Sequence, residues 1–321
     1  MTHSKKITAR GLDHRPFSRR TLLKGLGAGL GAGALGVSVP FGTARAQTVP
    51  AEGPLGLERT TVGEVEVTVI KDSTLQLPPG AFGGGAPEGA VAELLGRFNL
   101  PTESIAASAN VLLLSSGGEL MLIDSGNGGN LLPSLGAVGV SPADIGRVVL
   151  THWHPDHVNG VSAEGTLNFP NATHHFPKLD WEFLQAQAGS DEGIQGALDK
   201  LIPADEAGVL ELYESDAALT PFLTSVAAPG HTPGHHALLL NSGEASLLLT
   251  ADTANHPVVA LAHPEWSFGF DADAAQATET RRQLFSRAAD EGLQVSAYHF
   301  AFPGFGYVVR DGEGFSFTAT I

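Results

Sequence analysis

The sequence predicts an α/β fold in which sheets and helices pack as a sandwich. Short β-forming runs recur along the chain, helical patterns lie between them, and several of the runs are continuously apolar. Strands mixed with helices throughout are typical of α/β domains, and continuously apolar runs indicate sheets covered on both faces. The runs, each bounded by Gly, Asn, Asp or Pro as strands usually are, are residues 65–70, 109–114, 120–123, 148–150, 224–227, 237–240, 247–250 and 295–298.

Helix signals lie between these strands. Ser141 followed by Pro142 has the pattern of a capped helix start. Residues 180–188 are amphipathic, and residues 274–291 place apolar side chains at helical spacing. Residues 77–87 contain four glycines and three prolines, which a helix or a central strand does not accommodate. We expect a solvent loop there, or a mobile flap that presents Phe82 to a pocket.

The charge of the chain argues against a nucleic-acid partner. Its 321 residues contain 18 Lys and Arg against 34 Asp and Glu, a net charge of −16. Eight of the basic residues but only one of the acidic residues fall within residues 1–46, so the remaining 275 residues carry a net charge of −23. A domain with this negative charge repels the phosphate backbones of nucleic acids. The chain also has no Cys, which excludes disulfides, thiolate zinc sites and a thiol nucleophile.

Residues 1–46 have the features of an export signal. A basic segment with the pair Arg19 and Arg20 precedes an apolar run rich in Gly and Ala, and small residues flank Arg45. These features describe a secretory signal, and the arginine pair resembles a twin-arginine signal. The alternative, a membrane anchor, needs ~20 strongly apolar residues. We expect a periplasmic or secreted protein, exported folded by the twin-arginine machinery, with a domain at 47–321 and no membrane span in the mature chain.

A histidine cluster follows the apolar strand at 148–150. Within six residues lie four metal-ligand side chains: His152, His154, Asp156 and His157. In an extended chain His152 and His154 point to the same side, and Pro155 then turns the chain so that the next two side chains approach from another direction. Imidazole and carboxylate groups of this kind suit zinc. A purely structural cluster of polar residues would be unusual at the end of a buried strand.

Three further candidates also follow predicted strands. His231 lies just after residues 224–227, Asp252 after 247–250 and His299 after 295–298. Each alone is typical of a hydrogen-bonded structural residue. Ligand sites of α/β folds gather at strand ends, so their shared position favours a common site. Gly230, without a side chain, is expected to let the backbone approach a metal.

The motif His-x-His-x-Asp-His, the Gly-His element at His231, and the later Asp252 and His299 resemble the metallo-β-lactamase superfamily. The resemblance implies an αββα sandwich, two mixed sheets flanked by helices, from about Val62 to the C-terminus. It also implies two metal ions, taken as Zn²⁺ with Mn, Fe or Co as alternatives. The ligands it implies are His152, His154 and His231 for one ion, Asp156, His157 and His299 for the other, Asp252 as the bridge, and Asp124 as an orienting residue.

The C-terminal segments 263–266, 270–273, 280–281 and 299–306 are similar to methyl parathion hydrolase and its relatives. The resemblance implies hydrolysis of organophosphate triesters, aryl esters or lactones, often by a homodimer. A metal-bridging hydroxide would attack the substrate, and the catalytic residues would be Asp156 and Asp252. No side-chain nucleophile is needed, which suits a chain without Cys or a Gly-x-Ser-x-Gly elbow.

Other residues are assigned supporting roles. Phe82, Trp181 and His256 are candidates to contact a small-molecule ester-type substrate, with a core position for Trp181 and a structural role for His256 as the alternatives. His235 is expected to support the metal ligands without binding a metal, and a structural role is favoured for His174 and its neighbour.

Alternative functions within this fold remain. Lactonases for quorum signals commonly keep a Tyr between the second His element and the bridging Asp. Residues 232–251 contain no Tyr, which counts against a quorum-signal lactonase. β-Lactamases usually lack an aspartate equivalent to Asp252, so β-lactam hydrolysis is also disfavoured. A glyoxalase-type thioester hydrolase is open, although export away from cytoplasmic thiols counts against it. A di-iron oxidoreductase would need a flavin domain for which the chain has no room, and a metal-binding protein without catalysis would not need all seven ligands.

Overall fold

A computed structural model describes residues 56–320 of the chain, most of the compact unit Ala51–Ile321. The predicted export signal at 1–46 and the predicted domain start at 47 lie outside the described residues. The strands are β1 (Leu57–Val62), β2 (Val65–Leu77), β3 (Ile105–Ser116), β4 (Glu119–Ile123), β5 (Ile145–Val149), β6 (Ser162–Ala163), β7 (Thr166–Leu167), β8 (Thr173–Pro177), β9 (Leu210–Tyr213), β10 (Ala218–Thr220), β11 (Leu223–Ala227), β12 (His236–Ser242), β13 (Ala245–Ala251), β14 (Gln294–Ala297), β15 (Phe305–Asp311) and β16 (Gly314–Ala319).

Helices connect these strands. They are α1 (Ala90–Arg97), α2 (Leu131–Ala137), α3 (Pro155–Val158), α4 (Lys178–Ala186), α5 (Glu192–Glu206), α6 (Val259–Ala262) and α7 (Ala274–Glu291). Two 3₁₀ turns add Pro79–Ala81 and Pro142–Asp144. Within residues 56–320 we find no helix with the length and apolar character needed to cross a bilayer.

Two seven-stranded sheets form the centre of the molecule. Sheet 1 has the order β1-β2-β3-β4-β5-β8-β9, and sheet 2 runs in order from β10 to β16. In sheet 1 the pairs from β4 through β9 are parallel and the others antiparallel. In sheet 2, β13 and β14 are parallel and the other neighbours antiparallel. Both sheets are mixed, as the resemblance implied.

The sheets pack face to face, with helices on the outside. One apolar core lies between them and contains Val67 and Leu114 of sheet 1 with Leu238 and Leu247 of sheet 2. Other cores lie between sheet 1 and α2, α4 and α5, and between sheet 2 and α7. Each sheet is therefore covered on both faces, which explains the continuously apolar strands. The predicted αββα sandwich is confirmed.

The predicted strands are all present with shifted ends, and α4 lies near the predicted amphipathic segment. The helix over 274–291 has the bounds that the sequence predicts. Asp273 accepts a hydrogen bond from the amide of Gln276, and Gly292 ends the helix with a positive φ of 64°, an arrangement glycine favours. The helix expected after Ser141 is a single 3₁₀ turn, because the Ser141 and Asp144 capping box closes one turn and β5 begins at Ile145.

Residues 77–87 form an irregular and partly exposed segment, as expected for a solvent loop, but the segment is paired with the rest of the domain. The backbone of Gly84 pairs with Ser267 through two hydrogen bonds of 2.8 and 3.0 Å. A Cβ atom on Gly84 would lie 2.2 Å from Oγ of Ser267, so any larger residue there would force the Ser267 side chain to move. Phe82 is buried against Phe268, with ring centroids 5.1 Å apart. The segment is anchored to the domain through its glycines.

Candidate metal centre

The candidate ligands come together at one edge of the sandwich. His152 and His154 follow β5 of sheet 1, whereas Asp252 and His299 follow the neighbouring strands β13 and β14 of sheet 2. His231 lies in the loop between β11 and β12. Because the strand ends converge, side chains far apart in sequence lie within contact distance.

The short helix α3 supplies the remaining two candidates. Pro155 occupies its first position and His154 precedes it in an extended conformation, so the chain turns after the second histidine as the sequence predicts. Asp156 and His157 follow on the same helix. Tyr298 holds this helix from sheet 2, because its hydroxyl donates a 2.6 Å hydrogen bond to the carbonyl of Asp156.

The seven side chains form two groups of possible metal ligands. Within each group one ligand atom per residue lies within 4.8 Å of every other. The first group is His152, His154, His231 and Asp252, and the second is Asp156, His157 and His299.

Asp252 connects the two groups. Its Oδ2 lies 3.1 Å from Nε2 of His231 in the first group and 3.0 Å from Nε2 of His299 in the second. Its Oδ1 lies 3.1 Å from Nε2 of His157. A carboxylate between the two groups has the position that a bridging ligand requires.

The residues fit a pair of divalent cations. Nε2 of His152, Nε2 of His157 and Oδ1 of Asp252 are buried without a hydrogen-bond partner, although the last two atoms are 3.1 Å apart. A buried polar atom without a partner costs free energy, and these atoms all point into the cluster. Imidazole and carboxylate donors of this kind suit zinc and related transition metals.

The pKa values of these side chains follow from burial and from mutual charge. Burial, followed by the neighbouring imidazole of His157, lowers the pKa of His152 well below its usual value, and His154 behaves likewise beside His231. Burial alone would raise the pKa of Asp252, but the surrounding histidines, His299 first, hold it well below its usual value. Neutral imidazoles and an ionised carboxylate are the protonation states that bind metals. Burial alone would lower the pKa of His157, His231 and His299 as well, but the neighbouring carboxylates raise it.

Asp124, the residue expected to orient a ligand, contacts the ring of His157. Its Oδ2 lies 2.9 Å from Nδ1 of His157, and its Oδ1 accepts a 2.8 Å hydrogen bond from the amide of Thr151. Asp124 has a φ of 61°, a strained value for a residue with a side chain. A proton on Nδ1 leaves Nε2 of His157 free to bind a metal.

Two other candidate ligand histidines have hydrogen-bond partners that the sequence did not reveal. Nδ1 of His231 lies 2.9 Å from Oδ1 of Asp271, and Nδ1 of His299 lies 2.9 Å from the carbonyl of Ser108. Gly230 packs closely against helix α7. It has a φ of 122°, and a Cβ atom there would lie 2.2 Å from the amide nitrogen of Ala277 in α7.

Asp72, which sequence reasoning missed, holds the loop beside the site. Its carboxylate accepts hydrogen bonds from the amides of Asn127, Gly129 and Leu131. A Cβ atom at Gly126, where φ is +72°, would lie 2.5 Å from the Asp72 carboxyl carbon. The register shift of β2 at this position is visible only once the strands are paired.

A cavity of about 260 Å³ opens over the cluster. Among the described residues that line it there is no Lys or Arg. Its wall is formed by Leu75, Leu77, Asn127, His154, Pro155, Asp156, His231, Asp252, Phe268, Phe270 and His299. The cavity is therefore apolar on one side and carries the candidate ligands on the other.

None of the three residues predicted to contact substrate lines this cavity, and their contact with substrate stays a prediction. Phe82 is behind the wall, against Phe268. Trp181 is 7 % exposed in the core beneath sheet 1, because its position on α4 faces inward. His256 accepts hydrogen bonds at Nδ1 from the amides of Val258 and Val259 at the start of α6, so its ring is a helix cap. An aromatic residue in a sequence does not reveal which layer it faces.

The comparisons with known proteins establish the family. Residues 105–295 match the model of the metallo-beta-lactamase superfamily, and the chain belongs to that superfamily.

The curated relatives described here are named as a lactonase and as a thioesterase. N-acyl homoserine lactonase AttM of Azorhizobium caulinodans is 30% identical over 176 residues, which are 51% of this chain and 61% of the lactonase. Atrochrysone carboxyl ACP thioesterase of Aspergillus fumigatus is 29% identical over 157 residues, 48% of this chain and 42% of the thioesterase. The chain thus spans less than two thirds of the length of these relatives.

Two solved structures are similar over nearly their whole length. AidC, described as a dizinc quorum-quenching lactonase in complex with a product, is 28% identical with a TM-score of 0.77, covering 83% of this chain and 98% of AidC. The hydrolase AbOPH, described as belonging to the beta lactamase superfamily, is 27% identical with a TM-score of 0.78, covering 84% of this chain and 99% of AbOPH.

Proposed function

We propose that the chain is a metal-dependent hydrolase of neutral ester-type substrates and that it works with two zinc ions. The observation that carries the proposal is the position of Asp252, whose carboxylate lies between two groups of imidazole and carboxylate donors. The description of AidC as a dizinc lactonase supports the same reading.

Each group of donors would hold one ion, with Asp252 shared. Two divalent ions there would polarise the scissile bond and lower the pKa of water, which makes water a nucleophile near neutral pH. Asp156 is the more exposed of the two carboxylates, with 15% of its side chain accessible, and it lines the cavity. It can therefore accept a hydrogen bond from a water molecule beside the substrate and take up its proton.

The composition of the cavity indicates the charge and polarity of the substrate. Leu75, Leu77, Phe268 and Phe270 offer an apolar surface to one part of a substrate. Because the described wall contains no Lys or Arg, an anionic group away from the metals would be left without a partner, which is costly in a buried site. Neutral esters and lactones with an apolar substituent fit this cavity, and anionic phosphate monoesters do not.

Within this class we propose lactones, aryl esters and organophosphate triesters, the substrates implied by the resemblance to methyl parathion hydrolase. All three present a neutral carbonyl or phosphoryl group to the same nucleophile. The names of the lactonase relatives favour lactones. A thioester hydrolase is the second candidate, and the thioesterase among the relatives favours it.

The test compares substrates by kcat/KM on one preparation loaded in turn with zinc, manganese, iron or cobalt. The panel holds an N-acyl homoserine lactone, p-nitrophenyl butyrate, paraoxon and S-lactoylglutathione, together with an oxygen-consumption assay. We expect metal-dependent turnover of the neutral lactone or esters, at least about tenfold above the anionic thioester. Preference for the thioester, or oxygen consumption with iron, would establish the alternatives instead.

A pair of carboxylate variants controls this experiment. Asp252→Asn removes the charge between the two groups, and we expect kcat/KM to fall at least about 100-fold, at the upper end of what loss of a metal-site partner costs. Asp290→Asn makes the same chemical change at an exposed ion pair with Arg310 and should leave turnover unchanged. Equal activity of the two variants would contradict the proposed site.

A further inference from the structure

Asp271 is a buried carboxylate outside the two groups of ligands. Its side chain is inaccessible to solvent, and its Oδ1 lies 2.9 Å from Nδ1 of His231. Its Oδ2 accepts a 2.8 Å hydrogen bond from the amide of Phe268. One carboxylate therefore contacts both a candidate metal ligand and the segment that forms the cavity wall.

Arg281 extends this connection. Its guanidinium is buried, with Nη2 3.6 Å from Oδ2 of Asp271. It donates to the carbonyls of Trp266 at 2.7 Å and Thr253 at 2.7 Å. Thr253 directly follows Asp252 in sequence, so Arg281 joins the wall segment to the strand end that carries the central carboxylate.

The His231 contact fixes which nitrogen faces the cluster. When Nδ1 donates its proton to Asp271, Nε2 keeps a lone pair, and this atom lies 2.9 Å from Nδ1 of His154 and 3.1 Å from Oδ2 of Asp252. Asp124 does the same for His157 but takes its other hydrogen bonds from Thr151, which does not line the cavity. Of the two carboxylates, Asp124 and Asp271, only Asp271 also contacts the segment that forms the cavity wall.

We propose that Asp271 is a positioning residue that couples the His231 ligand to the apolar wall formed by Phe268 and Phe270. Metal bound by His231 then orders residues 268–271, and loss of the metal loosens them. The inference rests on the metal site of the proposed function, and it adds that the shape of the substrate wall depends on whether that site is filled.

The experiment compares Asp271→Asn with Glu265→Gln. Glu265 lies on the same segment, but it is exposed and pairs with His263 and Arg282, so the control makes the same chemical change without the buried contacts. Zinc affinity is measured by competition with a chromophoric chelator, and amide hydrogen exchange is followed by NMR in the metal-free proteins. We expect D271N to bind one of its two zinc ions about 10- to 100-fold more weakly, with faster exchange at Phe268, and E265Q to match the wild type.

A measurement on the wild type keeps the proposal testable if D271N does not fold. Adding zinc to the metal-free chain should slow exchange at the Phe268 amide more than at Leu201 in α5, which lies in the core on the far side of sheet 1. A folded D271N with wild-type affinity for both ions, or an unchanged Phe268 amide, would overturn the proposal. Both readouts are independent of turnover, so they separate failure of this coupling from failure of the proposed hydrolase activity.

Discussion

The backbone amide of Asp252 donates a 3.0 Å hydrogen bond to Nε2 of His235. Nδ1 of His235 lies 2.7 Å from the carbonyl of Ala228, so the ring proton is on Nδ1 and Nε2 acts as an acceptor. Burial lowers the pKa of His235 to about 3, which keeps the ring neutral. With both nitrogens engaged, His235 is placed to support Asp252 and has no nitrogen left for a metal.

His235→Ala should therefore weaken zinc binding without removing a ligand. The variant leaves the Asp252 amide buried without its acceptor, a loss of about 1–3 kcal/mol, and it loosens the carboxylate shared by both groups of donors. We expect lower affinity for both zinc ions, measured by chelator competition.

His236→Ala is the matched control. His236 is the next residue and is also buried, but its Nδ1 contacts the carbonyl of Gly234, away from Asp252. We expect the H236A variant to be less stable in denaturant titrations but to bind zinc as the wild type does. If H235A kept wild-type zinc affinity, the supporting role of His235 would be refuted.

Phe270→Ala should raise KM for substrates with a long apolar substituent. Phe270 lines the cavity and is 55% exposed, so its removal takes away apolar contact with little effect on the fold. Complete burial of a large apolar side chain contributes about 1.5–3 kcal/mol. Because the variant loses part of this contribution, we expect the KM for a decanoyl ester to rise about tenfold.

Phe98→Ala controls for loss of an exposed phenylalanine, because Phe98 is 59% exposed at the end of α1 and is absent from the described cavity wall. Steady-state kinetics with butanoyl and decanoyl esters of one alcohol make the comparison. An equal KM change for both esters in F270A, or the same change in F98A, would show that the wall does not bind the substituent.

His174 should make the fold sensitive to acid. It lies in β8 beside Val148 of β5, and burial lowers its pKa to about 4. The unfolded chain takes up this proton near pH 6.5, so the stability contributed by the neutral ring is complete above pH 6.5. It is lost as the pH falls from 6.5 towards 4.

His174→Leu should remove this part of the pH dependence. At about 1.4 kcal/mol per pKa unit, the wild type should lose about 3 kcal/mol more than H174L between pH 7.5 and pH 4. Urea titrations of the metal-free proteins measure the difference, with the exposed His263 replaced by Leu as control. Parallel stability curves for H174L and the wild type would contradict the assignment.

Export should depend on the arginine pair near the N-terminus. We expect Arg19→Lys combined with Arg20→Lys to leave the unprocessed chain in the cytoplasm, because the pair is the feature that resembles a twin-arginine signal. Arg10→Lys, outside the pair, should be exported normally. Cell fractionation followed by N-terminal sequencing checks both variants, and periplasmic processing of the double variant would exclude the twin-arginine route.

Local patterns in the sequence predicted an α/β sandwich and candidate ligands at the strand ends, whereas the αββα arrangement and the division of the ligands between two ions came from the resemblance to the metallo-β-lactamase superfamily. Apolar runs marked the strands, and polar side chains directly after them, such as Asp252 and His299, marked one edge of the sandwich. These residues converge in the structure, where Nε2 of His299 lies 3.0 Å from Oδ2 of Asp252.

Residues that act through distant backbone were not predictable in this way. Asp72 lies inside a strand pattern and reaches amides more than fifty positions later, and Asp271 reaches a histidine 40 positions earlier. Neither partner is marked by local spacing. The sequence also left open whether Trp181 lies in the core, because an amphipathic pattern shows that a helix has a buried face without showing what that face covers.

The most direct test of the dinuclear site is anomalous diffraction at the zinc edge from crystals of the zinc-loaded protein. We expect two anomalous peaks on either side of the Asp252 carboxylate, one beside His152, His154 and His231 and the other beside Asp156, His157 and His299. A single peak, or two peaks that do not share Asp252, would contradict a dinuclear site built on this carboxylate.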